Sequence, residues 1–127
     1  MKRLTPVLIV DAIEPCLGFW TGRLAFHITA EVPDGSHLGF VILQKDGVEV
    51  MYQTRQSILN DAPGVLPTSR GHSTALFMEV SDLDDVARAL DGLPIVLPRR
   101  RTFYGMDEIG VKEPGGHVVI FAQPVAK

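Results

Sequence analysis

The sequence is poor in the groups that build several common protein classes. Among its 127 residues there is a single cysteine, Cys16, so neither an intrachain disulfide nor a cysteine-based metal cage can form. Lysine and arginine number 12 against 15 aspartates and glutamates, for a net charge of −3. That balance lacks the clustered positive charge that neutralises phosphates, which removes the usual electrostatic route to nucleic acid. No apolar run approaches the roughly 20 residues that cross a bilayer. The N-terminal run from Leu4 to Val10 stops at Asp11, and no small-residue cleavage site follows it. A signal peptide and a membrane partner are therefore not expected, and a cytoplasmic protein is the default. With 46% hydrophobic and 21% charged residues, disorder and fibrous architectures fall away as well, and the length suits one domain with a real core.

What the chain does have is an internal duplication. Val10-Asp11-Ala12-Ile13-Glu14 leads into an amphipathic run closed by Gly22, and Val80-Ser81-Asp82-Leu83-Asp84 leads into a second run closed by Gly92, each 70 residues further on. A Gly-centred hairpin turn follows in both halves, at Asp46-Gly47 and at Gly115-Gly116. Self-similarity at a fixed spacing dictates architecture: two equivalent modules, each a strand, a helix and three further strands.

Residues 4–10 read as a strand, placed at a sheet edge or end by Pro6. Asp11 and Glu14 form a capping-box pattern. Ile13, Leu17, Trp20 and Leu24 recur at helical spacing, and Gly22 ends that helix. Strands follow over 25–32, 38–43 and 48–53, the last two joined by the two-residue turn Asp46-Gly47. Residues 55–71, rich in Pro and Gly, read as a linking loop with room for a helical turn near Ser57-Ile58-Leu59. The second module repeats the plan: a strand over 74–80, a capping box from Ser81 to Asp84, a stripe of Leu83, Val86, Ala87 and Leu90, then strands over 93–97, 103–111 and 118–122. The fold class is α+β, two βαβββ modules at about 4–54 and 72–123 in one domain.

Val10-Asp11 followed by Phe19-Trp20, the run Phe77-Met78-Glu79-Val80-Ser81-Asp82, and Tyr104-Gly105-Met106 leading to Glu113-Pro114-Gly115-Gly116 together resemble the vicinal-oxygen-chelate superfamily of glyoxalases, extradiol dioxygenases and bleomycin-resistance proteins. The resemblance covers nearly the whole chain. It implies a cup-shaped mixed sheet in each module, a ligand cavity where two modules face each other, and a homodimer. In the metal-using branch it implies four ligands, usually two histidines and two carboxylates. Carried onto this sequence those positions fall on Thr5, Glu49, Ala75 and Ile120. One donor of four cannot hold Zn²⁺, Ni²⁺ or Fe²⁺, so no metal and no cofactor are expected.

If Asp46-Gly47 is a two-residue turn, Gln44 lies opposite Glu49, Ile42 opposite Met51 and Phe40 opposite Gln53, all on one face. Alternation adds Thr5, Val7 and Ile9 to that face. With Phe77, Tyr104 and Ile120 these residues are the candidate ligand-binding set, an acid and amides on an apolar floor. His27, His37, His72 and His117 are rival donors better placed for turns and surface; Tyr104 and Glu108 are candidates at a cavity mouth. Arg99-Arg100-Arg101 is either an anion contact or a solvated charge run, and Cys16 and Trp20 read as core. The expected function is metal-free sequestration of a partly apolar small molecule, as in bleomycin-resistance proteins. The alternatives are a metal-dependent lyase or dioxygenase, and a cofactor-independent enzyme with Glu49 as its base.

Overall fold

The computed structural model describes residues 2–67, 70–71 and 74–125. It divides into two compact units, Met1–Gly71 and His72–Lys127, so residues 55–71 belong to the first. Strands β1 (Val7–Val10), β2 (His27–Asp34), β3 (His37–Lys45) and β4 (Val48–Thr54) form one sheet in the order β1-β4-β3-β2. Strands β5 (Leu76–Glu79), β6 (Ile95–Arg101), β7 (Met106–Lys112) and β8 (Val118–Pro124) form the other in the order β5-β8-β7-β6. In each sheet the first strand pairs in parallel with the last and the remaining pairs are antiparallel. Helix α1 (Glu14–Gly18), continuing as a π-helical turn over Phe19–Arg23, follows β1, and helix α3 (Leu83–Ala89) follows β5. The duplication in sequence is thus a duplication in topology.

Alternation along the strands separates two faces. In the first unit Leu8, Val10, Val41, Leu43, Val50 and Tyr52 are buried, together with Ile13, Cys16, Phe19 and Trp20 of the helical segment. Trp20 Nε1–H donates to Tyr52 Oη at 2.9 Å in the middle of this core, and its ring meets Phe19 and Phe26 edge to face. In the second unit Leu83, Leu90, Ile109, Val111, Val119 and Phe121 are buried in the same way. Cys16 and Trp20 are core residues, as expected from their places on the helix and on its apolar stripe.

Several local expectations give way. Asp11 caps no helix: α1 starts at Glu14 with Ile13 as its N-cap and no side-chain cap, because Pro15 fills the first turn, where an N–H is not needed. Asp11 instead meets Arg55 and Arg70, and Glu14 accepts from the Leu38 N–H at 2.8 Å. The helix does not stop at Gly22; the reversal falls at Ala25, with φ +59°. The second cap is Asp82, accepting from the Asp85 N–H at 3.1 Å, one residue after Ser81. The linking segment contains a seven-residue helix α2 (Arg55–Asp61), started by Thr54, whose hydroxyl accepts from the Ser57 N–H. Phe103 and Tyr104 lie in a turn before β7, where Gly105 adopts φ +82°, and the arginine triplet is the end of β6.

Candidate functional site

The hairpin turn builds the first unit's open face. Asp46 and Gly47 both take positive φ, +52° and +79°, the conformation of a tight two-residue turn. That turn sets Gln44 against Glu49, Ile42 against Met51 and Phe40 against Gln53, as the sequence predicts. The parallel pairing then brings Val7 beside Met51 and Ile9 beside Gln53. Val7 is 43% exposed and the other residues of the face are half-buried, whereas their odd-even neighbours are in the core. Thr5, Val7, Phe40, Ile42, Glu49, Met51 and Gln53 therefore share one accessible face.

Glu49 is its polar centre. Pro6 carries the pairing one residue beyond β1 by accepting from the Met51 N–H at 3.0 Å, which places Thr5 against Glu49. The Thr5 hydroxyl donates to Oε1 at 2.9 Å, and Gln44 Nε2 and Arg3 Nη1 donate to Oε2, the latter at 3.2 Å. The Glu49 side chain is only 9% exposed and that of Arg3 63%. Hydrogen bonds from Gln44 and then Thr5, aided by the charge of Arg3, hold the carboxyl below its ordinary range against the opposing effect of burial. A carboxylate so held is a good acceptor and a weak base, since a general base works best with a pKa near ambient pH.

The second unit's open face is built differently. Phe77, 53% exposed, pairs with Ile120, which pairs with Gly110. A Cβ on Gly110 would come within 2.9 Å of Leu97 Cβ, so glycine lets Leu97 lie across that face. Beyond it stands Glu108, buried at 1% exposure. Arg100 donates through Nε to Glu108 Oε1 at 2.9 Å, with Nη2 2.8 Å from the same oxygen, and Tyr104 Oη–H donates to Oε2 at 2.9 Å. The hydrogen bond to Glu108 raises the Tyr104 pKa, with burial and the carboxylate charge adding to it. The arginine triplet is accounted for one by one: Arg99 pairs with Asp84, Arg100 with Glu108 and Arg101 with Asp107.

The strand registers also settle which positions correspond. Val7 beside Met51 matches Phe77 beside Ile120, so Ile120 is the counterpart of Met51. The counterpart of Glu49 is Val118, paired with Lys112 as Glu49 is with Gln44. The three-residue loop Pro114-Gly115-Gly116 in place of Asp46-Gly47 shifts the spacing by one residue. Either way the donor set does not fit the metal that the sequence resemblance implies for the metal-using branch. Thr5 spends its hydroxyl proton on Glu49, and Ala75, Val118 and Ile120 have no donor atom. His27 and His37 are exposed at strand starts, and His72 lies outside the described residues. His117 is buried, with Nδ1 3.0 Å from Glu113 Oε1, and Glu113 also accepts from the Gly115 and His117 N–H groups. Their role is to close the β7–β8 hairpin. Among the described residues no group of three or more His, Cys, Asp or Glu side chains is arranged to hold a metal, and no helix is long and apolar enough to cross a membrane.

No protein-family model and no curated protein matches the chain by sequence. Solved structures match along almost its whole length. TioX from Micromonospora sp. ML1 is 18% identical with a TM-score of 0.76, covering 98% of this chain and 100% of its own. A glyoxalase/bleomycin resistance protein/dioxygenase family enzyme from Burkholderia phytofirmans PsJN is 11% identical with a TM-score of 0.78, covering 95% and 97%. Lactoylglutathione lyase from Agrobacterium tumefaciens is 13% identical with a TM-score of 0.73, covering 97% and 94%. The chain has the fold of the glyoxalase/bleomycin-resistance/dioxygenase proteins, the vicinal-oxygen-chelate architecture that its sequence resembles.

Proposed function

We propose that the protein binds a partly apolar small organic molecule, without a metal, on the open face of its first unit. The apolar body lies on Val7, Phe40, Ile42 and Met51, and an N–H or O–H group of the ligand donates to Glu49. The observation that carries this reading is Glu49 itself. It is an anion fixed by Thr5, Gln44 and Arg3 at the end of an accessible apolar sheet face. Few polar groups placed on an apolar surface is how small-molecule sites achieve orientation. The same three donors count against the reading in which Glu49 removes a proton, because they stabilise the form that has already lost it. The glyoxalase-like lyase or dioxygenase reading fails on donors, since the equivalent positions supply one carboxylate and no histidine.

We further propose a homodimer. β1 is a short edge strand with Pro6 beside it, and the edge strands β2 of the same sheet and β6 of the other sheet leave Ile28, Val32, Ile95 and Val96 exposed. Apolar edge strands of this kind need cover.

The test of the binding reading is a pair of measurements on Glu49→Gln, with 2-naphthol as the probe. Its dissociation constant should rise roughly tenfold, the loss expected when a charge-assisted hydrogen bond becomes neutral, while the melting temperature stays within about 2 °C. A large drop in melting temperature with unchanged affinity makes Glu49 a structural carboxylate and refutes the proposal.

A further inference from the structure

The duplication supplies an internal control for every position on the two open faces. Val32 pairs with Phe40 in the first unit where Arg100 pairs with Glu108 in the second. Ile42 and Gln53 surround the first pair as Gly110 and Ala122 surround the second. The same fold therefore accepts a wholly apolar pair at this place, and an ion pair is not required to build the sheet. A buried ion pair is commonly no more stabilising than apolar residues of similar volume. The polar group at the other end of the face is reversed as well, with Glu49 in the first unit and Val118 in the second.

Glu108 is sealed from solvent, with its side chain 2% exposed, whereas 56% of the Arg100 side chain remains accessible. Glu108 cannot reach a ligand. It fixes the guanidinium by two contacts to one oxygen while Tyr104 occupies the other. Arg100 is thus a pre-oriented cation whose side chain stays more than half exposed, and a guanidinium matches a planar carboxylate in two parallel hydrogen bonds. Arg99 and Arg101 pair with Asp84 and Asp107, so the acid that orients Arg100 is the one sealed from solvent. Beside Arg100 the face continues as Leu97, Ile120 and the half-exposed Phe77. Among the described residues two other charges share the face. Lys112 lies on β7 two alternations from Glu108, and Glu79 on β5 is three strands from Arg100. Three strand spacings amount to about 14 Å, beyond the screening length at physiological salt, so Glu79 does not cancel the attraction.

We infer that the open face of the second unit is a binding site for an organic carboxylate with an aromatic or aliphatic body, recognised by Arg100 and floored by Leu97, Ile120 and Phe77. Glu108 and Tyr104 are positioning residues. This site does not rest on the Glu49 reading. The probe is 2-naphthoate, compared with its uncharged methyl ester by calorimetric titration of the full chain at pH 7. The acid should bind at least tenfold more tightly than the ester. The double variant Arg100→Gln/Glu108→Gln, which removes both charges together, should abolish that preference. If that variant does not fold, Arg100→Val/Glu108→Phe installs the pair that the first unit carries and should likewise abolish it. Equal affinity for acid and ester, no saturable binding of the acid up to millimolar concentration, or a preference that survives in either folded double variant overturns the inference.

Discussion

Tyr52→Phe removes one oxygen atom from the centre of the first unit and nothing else. Trp20 and Tyr52 are both fully buried, and the indole N–H donates to the phenol oxygen at 2.9 Å. With the hydroxyl gone the indole N–H stays buried without that acceptor, at a cost of about 1–3 kcal/mol. For a chain of this size each kcal/mol moves the melting temperature by roughly 3–6 °C, so a fall of about 3–18 °C is expected. Trp20→Phe costs more on its own, because it also opens a cavity under Phe19 and Phe26. The informative quantity is the coupling. In a Trp20→Phe background no indole N–H is left to strand, so Tyr52→Phe should cost at least about 1 kcal/mol less than it does in the parent. Urea unfolding of the four proteins, followed by circular dichroism, measures it. Strict additivity of the two changes would mean that the bond contributes nothing, and that Trp20 is held by packing alone.

The remaining predictions follow from single contacts. Gly110→Ala puts a Cβ 2.9 Å from Leu97 Cβ, a contact with no flexible end to yield, and should destabilise by about 1–3 kcal/mol. Gly22→Ala meets nothing within 4 Å and should be neutral or stabilising by up to about 1 kcal/mol; chemical denaturation of both variants checks the contrast. Asp82→Ala should lower stability by roughly 1 kcal/mol through loss of the α3 cap, with Ser81→Ala near zero, measured the same way. The pH dependence has a definite sign. The Glu49 carboxyl is held below its ordinary value, so its bonds are fully present above the unfolded carboxylate pKa of about 4.3. They are lost only as pH falls through the lower folded value. Affinity for 2-naphthol should therefore be flat from pH 8 down to about 5, and a loss of affinity between pH 7 and 5.5 would contradict the assigned state of Glu49.

Much of this architecture was legible because short-range chemistry set it. Asp46-Gly47 allows a two-residue turn, and such a turn leaves only one register, so the pairs Gln44–Glu49, Ile42–Met51 and Phe40–Gln53 followed without tertiary information. The duplication did the same for the sequence of elements in the two modules. What escaped were partnerships between side chains distant in sequence. Asp11 looks like a cap until Arg55 and Arg70 meet it, and α2 was read only as a helical turn near Ser57-Ile58-Leu59 because its cap, Thr54, is also the last residue of β4. Ile120 was aligned one alternation away from the counterpart of Glu49, a two-residue offset that only the strand pairing reveals. Arg99-Arg100-Arg101 reads as one charge run, yet alternation along β6 and the neighbouring acids give each arginine a different partner. The signal that would have separated them is the matching acid pair Asp107-Glu108 on the next strand.

The central claim is that the first unit's accessible sheet face, with Glu49 at its end, is where a small molecule binds. Methyl chemical-shift mapping of Ile-, Leu-, Val- and Met-labelled protein during titration with 2-naphthol tests it most directly, because residues that alternate along one strand should respond differently. The account predicts the largest shifts at Val7, Ile42 and Met51, with small ones at Val41, Leu43 and Val50 of the buried face. Shifts concentrated on the buried set, or confined to methyls outside the first unit, would contradict it.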